Sequence, residues 1–187
     1  IVDLNDAFTL QPELRKNEYL RKLAKHKFSG KIAAKGKMKD VDVSDFLVKW
    51  GQNTSVSTRG NLKNLTEMTN FIAAIDDLTF HSTRSDLSNF VSEKDLGISL
   101  PNTLQLKSQI KGKLDDFTTK TLITIPEGKI NVDGKFKQQN EIVFSAFVDV
   151  DNLNLGKILN NPEIGTVAFE MKTSGNGNTV NDLNAVM

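Results

Sequence analysis

A short phrase recurs along this chain: a glycine, any residue, an apolar residue, any residue, Asp or Asn, and another apolar residue. It occurs at 36–41, 60–65 and 112–117, with a looser copy at 134–139. Successive glycines are 24, 52 and 22 residues apart. Since 52 is close to two units of about 26, the spacing predicts a repeated module of roughly 22 to 26 residues, a length typical of repeat architectures.

Apolar and polar residues alternate with a period of two around these glycines. From Leu106 to Leu114 the even positions are apolar or small, and the odd positions are Lys or Gln. The ranges 28–38 and 129–137 follow the same pattern, with Ala33 the one apolar residue on the lysine side, and the even positions of 142–150 are all apolar. This alternation predicts strands with one covered face and one face in water.

The recurring glycines fall on the apolar side of these strands. A glycine there lets the sheet bend or a neighbouring chain approach, and the Asp or Asn that follows suits a turn. We therefore predict that each module is a hairpin, and that successive hairpins extend one antiparallel sheet.

Three short helices are predicted at 12–25, 85–91 and 155–160. The first has Pro12 in its first turn and Leu14, Tyr19, Leu20 and Leu23 at near-helical spacing. The helices interrupt the strands rather than alternate with them, so a parallel βαβ fold is not expected. All three are too short to cover more than an edge or an end of the sheet.

The composition is that of a globular chain, with 38% hydrophobic and 25% charged residues. At 187 residues we expect a single domain, 1–187, in which 1–27 is a mostly helical, basic part. Residues 13–39 hold ten Lys or Arg against Glu13 and Glu18. A phosphate-binding role is one interpretation, but a solvated helix and strand face is favoured. Only Tyr19 and Phe28 are interleaved aromatics, so nucleic acid is not an expected partner.

The residues of catalytic and metal sites are scarce. The chain has no cysteine, and His26 and His81 lack partners at metal-binding spacing. The run 149–154 resembles a calcium loop but has Leu153 at the fifth position and lacks the glycine required at the sixth. The pairs Asp76-Asp77 and Asp115-Asp116 are interpreted as turn residues. We predict no catalytic residue, metal ligand or cofactor, and a protein that is not an enzyme.

The chain begins at Ile1 and ends at Met187, within a predicted strand. We therefore expect a segment of a longer repeat protein, whose membrane contacts are made by parts outside this sequence.

Several runs, taken in order, resemble one protein family. The runs 97–106, 110–117, 150–159, 165–167 and 174–177 are similar to the TamB proteins of the AsmA-like superfamily. This resemblance implies a β-taco, a long antiparallel sheet curled into an open U with an apolar groove. It also implies a protein anchored in the inner membrane and crossing the periplasm of a Gram-negative envelope. Such proteins are associated with phospholipid transport between the two membranes, and with outer-membrane protein assembly beside a BamA-type barrel.

The resemblance and the alternation together define a predicted groove for phospholipid acyl chains. Its expected lining is Phe28, Ile32, Met38, Val56, Leu62, Ile110, Leu114, Ile130, Val132, Phe136, Ile142, Phe144, Val148, Val167, Phe169 and Met171. Two alternatives remain open. The sheet could close into a sandwich or barrel, with these residues as its core, or the segment could be a structural module that assists outer-membrane protein assembly or translocation.

Overall fold

The computed structural model describes residues 9, 12–26, 28–138, 141–177 and 184–186. Ten strands form one sheet, in which each strand pairs with its neighbours in the sequence, and every pairing is antiparallel. The strands are β1 (Ser29–Lys37), β2 (Asp40–Trp50), β3 (Thr54–Lys63), β4 (Ile72–Thr83), β5 (Thr103–Lys113), β6 (Asp116–Ile125), β7 (Gly128–Gln138), β8 (Ile142–Asn154), β9 (Thr166–Gly177) and β10 (Asn184–Val186). The prediction that hairpins extend one antiparallel sheet is confirmed.

Helices are few and short. The described ones are α1 (Glu18–Leu23), α2 (Arg84–Leu87), α3 (Glu93–Leu96) and α4 (Leu155–Ile158), with 3₁₀ segments at Pro12–Lys16 and Met68–Asn70. The predicted helix 12–25 is therefore two pieces separated at Asn17. The predicted helix 85–91 ends early, at Leu87, and α3 was not predicted at all. Only the third prediction, at 155–160, matches one helix closely.

The sheet is a single open layer. The terminal strands β1 and β10 each pair with one neighbour and not with each other. Every extensive contact between described strands joins two neighbours in the sheet, so no second sheet packs on either face. The fold is thus mainly β, a curved open sheet, and the closed sandwich or barrel considered above is not formed.

A single layer leaves the chain with a sparse core. Its accessible surface is 12580 Å², whereas a compact protein of this mass would expose about 8,900 Å². Among the described residues the buried hydrophobic side chains are Val43, Leu100, Ile142, Val150 and Leu153. Most other apolar side chains on the strands are only half-buried.

Three strands contain a bulge, and in each the extra residue adjoins an acidic one. The pairing shifts at Ser44–Asp45 in β2, at Asp76–Asp77 in β4 and at Asp151–Asn152 in β8. Bulges increase local twist and bend a strand, which suits a sheet that curves without closing.

The interpretation of Asp76-Asp77 as turn residues is wrong, because both lie inside β4. Asp115 does lie in a turn, and Asp116 begins β6.

The two ends of the strands differ. At one end the chain reverses through short connections at Met38–Lys39, at 64–71 and at Leu114–Asp115, which we call the turn rim. Backbone hydrogen bonds link its turns, from Leu65 N to Met38 O at 3.0 Å and from Gln138 N to Asp115 O at 2.6 Å. At the other end the longer connections 84–102 and 155–165 carry α2, α3 and α4, and we call them the rim cap.

The recurring glycines act at the turn rim. Gly36 and Gly112 have φ of 128° and 138°, and each stands just before a tight turn between two paired strands. A Cβ at either position would clash with the carbonyl oxygen of Asp40 or Asp116 across the hairpin. The glycine phrase therefore encodes close approach of the backbone at a hairpin end. The looser copy at Gly134 lies within β7 and has no such φ.

Gly112→Ala should destabilise the chain by about 2 kcal/mol or more, because it combines an unfavourable φ with a backbone clash. Gly134→Ala is the matched control, since its Cβ would approach the Thr119 side chain at 3.3 Å and otherwise make ordinary contacts at 3.9 Å. We expect its cost to stay below about 1 kcal/mol. Urea unfolding of both variants checks this, and equal losses of stability would contradict the assigned role of Gly112.

Candidate functional site

The register of the strands places most of the large apolar side chains on one face. One paired row, nearer the rim cap, comprises Val48, Val56, Phe80, Leu106, Ile123, Ile130, Val150 and Phe169. A second row, nearer the turn rim, comprises Val41, Leu62, Ala73, Gly112, Phe117, Phe136 and Phe144. We call this side of the sheet the apolar face and the opposite side, which carries most of the strand lysines, the charged face.

The predicted lining residues share this apolar face. Fourteen of the sixteen lie on or directly beside its strands with the same orientation, which follows from the pairing register. The other two, Met38 and Leu114, lie in turns of the turn rim and are 62% and 56% exposed. Whether these residues bind acyl chains remains a prediction, but their assembly on one surface is a property of the fold.

Burial on the apolar face is partial. Phe136, Phe144, Val132 and Ile110 are half-buried, and Phe169 is 45% exposed. In β5 and β7 the residues of the charged face are more exposed than those of the apolar face. Apolar neighbours therefore shelter one another, while no layer formed by the described residues covers the face as a whole.

Aromatic rings gather at both ends of the apolar face. Near the rim cap, Trp50 lies between Phe28 and Phe80, with ring centroids 6.2 Å apart in both pairs. Near the turn rim, Phe117 and Phe136 stack at 5.2 Å. The Trp50 Nε1 donor is buried and has no hydrogen-bond partner. An indole donor left unpaired in an apolar cluster is costly unless a bound molecule accepts its hydrogen bond.

Three hydroxyl groups interrupt the centre of the apolar face. Ser108 Oγ lies 3.0 Å from Thr119 Oγ1 and 2.8 Å from Thr121 Oγ1, and the two threonine oxygens are 2.8 Å apart. Ser108 is only 6% exposed. Each hydroxyl can donate to the next, so the cluster needs no outside donor and retains free acceptor lone pairs. The hydroxyl cluster divides the apolar face into two hydrophobic regions, one nearer each rim.

Sequence reasoning missed the apolar residues of β2 and β4. In β2 the apolar face takes Val41 and Val43 before the bulge but Phe46, Val48 and Trp50 after it. In β4 it takes Ala73 and Ile75 and then Leu78 and Phe80. A single extra residue moves the pattern from odd to even positions, so neither strand shows continuous alternation. The acidic residue at each bulge was the sequence feature that could have indicated the break in alternation.

The charged face has a cleft of its own. A space of about 550 Å³ extends from β3 to β8 and is bordered by Arg59, Asp77, Lys120, Asp133 and Phe147 among others. Four of its charged side chains form two ion pairs, Arg59 with Asp77 at 3.3 Å and Lys120 with Asp133 at 3.5 Å, and these side chains remain 47 to 72% exposed. Exposed pairs of this kind contribute little to stability.

A buried carboxylate fastens the rim cap to the sheet. Asp86, in α2, is 4% exposed and accepts hydrogen bonds from Gln52 N (3.1 Å), Asn53 N (2.9 Å) and Thr54 Oγ1 (2.6 Å) in and beside the β2–β3 turn. Burial alone would raise the pKa of Asp86, but the bonds from Thr54, Asn53 and Gln52 together lower it below 3.8.

The rim cap also bridges distant strands. Ser99 N donates to Ile158 O at 2.7 Å, joining the β4–β5 connection to the β8–β9 connection. In a flat sheet these connections would be about 19 Å apart. Within the cap, Glu93 accepts from Leu100 N at 2.7 Å and pairs with Arg84, and both contacts lower the pKa of Glu93. One rim of the apolar face is thus covered by helical connections, and no described element covers the turn rim in the same way.

The described residues contain no group of three or more His, Asp or Glu side chains placed to hold a metal ion. His81 Nδ1 lies 3.0 Å from the carbonyl oxygen of Asn53, and the His26 ring lies 6.4 Å from that of Phe90. No helix in the described part of the chain has the length and hydrophobicity needed to span a bilayer.

Comparison of the chain with protein-family models, with curated proteins and with solved structures found no match.

Asp86→Asn should destabilise the chain by about 1–3 kcal/mol at neutral pH, because an amide cannot accept all three hydrogen bonds and places its own N–H₂ against donors. The folded-state pKa of Asp86 is depressed, so its contribution is present above pH 3.8 and is lost as the pH falls through the folded pKa.

The measurement is denaturant unfolding of wild type and Asp86→Asn at pH 7 and at pH 3. The stability gap between them should be widest at pH 7 and narrower at pH 3. A gap that does not change with pH would show that the Asp86 charge does not hold the rim cap.

Proposed function

We propose that the apolar face binds the acyl chains of phospholipid, and that the chain is a segment of a TamB-like protein that carries phospholipid between the inner and outer membranes of a Gram-negative envelope. The observation that carries this proposal is the single-layer sheet whose apolar face, away from the rim cap, no other part of the described chain covers. The resemblance in sequence supports the periplasmic setting.

Hydrophobic physics favours an acyl occupant. Contiguous apolar patches on soluble monomers seldom exceed a few hundred Å², and this face extends over the successive strands β2 to β9. Each CH₂ group buried against it would gain about 0.8 kcal/mol. Hydrocarbon contacts have no directional requirement, so a chain can slide from one pair of strands to the next.

The dimensions also suit a lipid. A ten-residue strand spans about 33 Å, whereas the hydrocarbon depth of one membrane leaflet is about 15 Å. An acyl chain therefore fits across the apolar face in several orientations. The open edges at β1 and β10 leave room for further strands to prolong the same surface in a longer protein.

Phe144→Glu tests the proposal, because it places a carboxylate in the aromatic row of the apolar face. Since Phe144 is only half-buried and no second layer covers it, we expect the variant to fold with a loss of about 1 kcal/mol, or roughly 2–4 °C in melting temperature. Phospholipid recovered with the purified chain, quantified by mass spectrometry of organic extracts, should fall sharply.

Val143→Glu is the matched control. Val143 is the neighbouring residue, faces the charged side opposite Lys137, and is 44% exposed. This variant should retain lipid at the wild-type level. Repeatedly clean extracts from the wild-type chain, or equal lipid in the two variants, would sink the acyl-binding proposal.

A second function is favoured by the free edge of the sheet. All nine residues of β1 are exposed, and the strand pairs on one side only. An unpaired edge can accept a strand from another chain, which fits a module that assists outer-membrane protein assembly or translocation with a BamA-type barrel. Lys31, Lys35 and Lys37 along this strand are the charges that usually discourage such pairing.

Photocrosslinking separates the two functions. A photoreactive side chain at Ala33 on the β1 edge should capture an outer-membrane protein strand if the edge is the working surface. The same group at Leu62 on the apolar face should capture lipid if the apolar face is the working surface. Protein adducts confined to Ala33, with no lipid adduct at Leu62, would favour the assembly module over lipid carriage.

A further inference from the structure

Exposed apolar side chains recur at the turn rim. Met38 in the β1–β2 turn is 62% exposed, Met68 in the β3–β4 connection is 64% exposed, and Leu114 in the β5–β6 turn is 56% exposed. Each of the three fully described connections at this end of the sheet therefore presents one large apolar tip to solvent. The opposite end of the sheet is covered by the rim cap.

The tips are held at one level by the strand register. Lys37 pairs with Asp40, Asp40 with Lys63, Lys63 with Ile72, and Ile72 with Lys113, so the strands end in one aligned row. The hydrogen bonds between Leu65 and Met38 and between Asn64 and Lys39 join the first two connections directly. From the first turn to the third, the rim measures about 19 Å along the sheet.

We propose that the turn rim is a membrane-docking edge, whose apolar tips insert into the surface of a phospholipid bilayer. The proposal rests on the acyl-binding function above and says where lipid enters the apolar face. Phe117 and Phe136 stack directly behind the Leu114 turn. An acyl chain leaving the bilayer at this rim would reach them without crossing water.

A bilayer fits this edge better than a protein partner does. The apolar tips are separated by charged residues and form no continuous patch of the kind that a protein interface buries at its centre. A fluid interface accepts isolated apolar side chains between lysines whose stems can reach back to the headgroups.

The charge around the tips is balanced. Lys37, Lys39, Lys63 and Lys113 stand beside Asp40, Glu67, Asp115 and Asp116. Docking should therefore depend on insertion of the tips and not on anionic headgroups. The probe that isolates it is a vesicle of phosphatidylcholine alone.

The test uses single cysteines carrying an environment-sensitive fluorophore, which is practical because the chain contains no cysteine. Labels at Met38→Cys and Leu114→Cys should shift to the blue on addition of phosphatidylcholine vesicles. A label at Leu96→Cys, 50% exposed in the rim cap, is the matched control and should not shift. No shift at the turn rim, or an equal shift at both ends, would overturn the proposal.

A complementary variant carries Met38→Ser, Met68→Ser and Leu114→Ser together. Vesicle partition should weaken by about tenfold or more for each tip removed, while Leu96→Ser with Leu159→Ser in the rim cap should leave it unchanged. Unaltered partition of the triple variant would also overturn the proposal.

Binding of a fluorescent fatty acid without vesicles separates this inference from the proposed function. If Phe144→Glu abolishes that binding while the tips fail to insert, docking is wrong and acyl binding stands. If the tips insert but the wild-type chain binds no fatty acid, the proposed function is wrong and docking stands.

Discussion

The structure depends on one constraint. An antiparallel sheet whose side chains alternate between an apolar face and a solvent-exposed face must place its apolar face against something. In the described part of this chain no second sheet or long helix does so. Backbone hydrogen bonds between neighbouring strands hold the layer together, and bulges bend it. The apolar face is consequently sheltered by its own neighbours and not by a packed interior, which is why only five described hydrophobic residues are buried.

The two rims show how the fold directs access to this face. At one end, Asp86 and the contact between Ser99 and Ile158 tie the helical connections over the sheet. At the other, Gly36 and Gly112 allow tight two-residue turns, and the fully described connections carry no α-helix. Hydroxyl groups of Ser108, Thr119 and Thr121 lie midway between the ends. The face is thus covered at the rim cap and more open at the turn rim. Such an arrangement suits a surface that receives a long apolar molecule from one side.

The strand order could be predicted from the sequence because alternation and glycine spacing are local properties. In β5, β7 and most of β8 nothing disturbs them. The apolar residues of β2 and β4 could not be predicted in this way, because an extra residue beside Asp45 or Asp76 moves the apolar face between odd and even positions. The rim cap could not be predicted either. The hydrogen bonds of Asp86 join residues more than thirty positions apart, and the short helices they hold have little propensity of their own. Most lining residues on strands with continuous alternation were predicted, whereas those of β2 and β4 were missed because a bulge breaks the pattern. Phe117 and Ile123 of β6 were also missed, although that strand has no bulge.

The central claim, that the open face holds hydrocarbon, is tested most directly by a fatty acid with a photoreactive group at mid-chain. After irradiation of the bound complex, peptide mapping by mass spectrometry locates the adducts. The account predicts adducts on apolar-face residues of β6 to β8, such as Phe117, Phe136 and Val148. Adducts restricted to the charged face, or a random distribution over the surface, would contradict it.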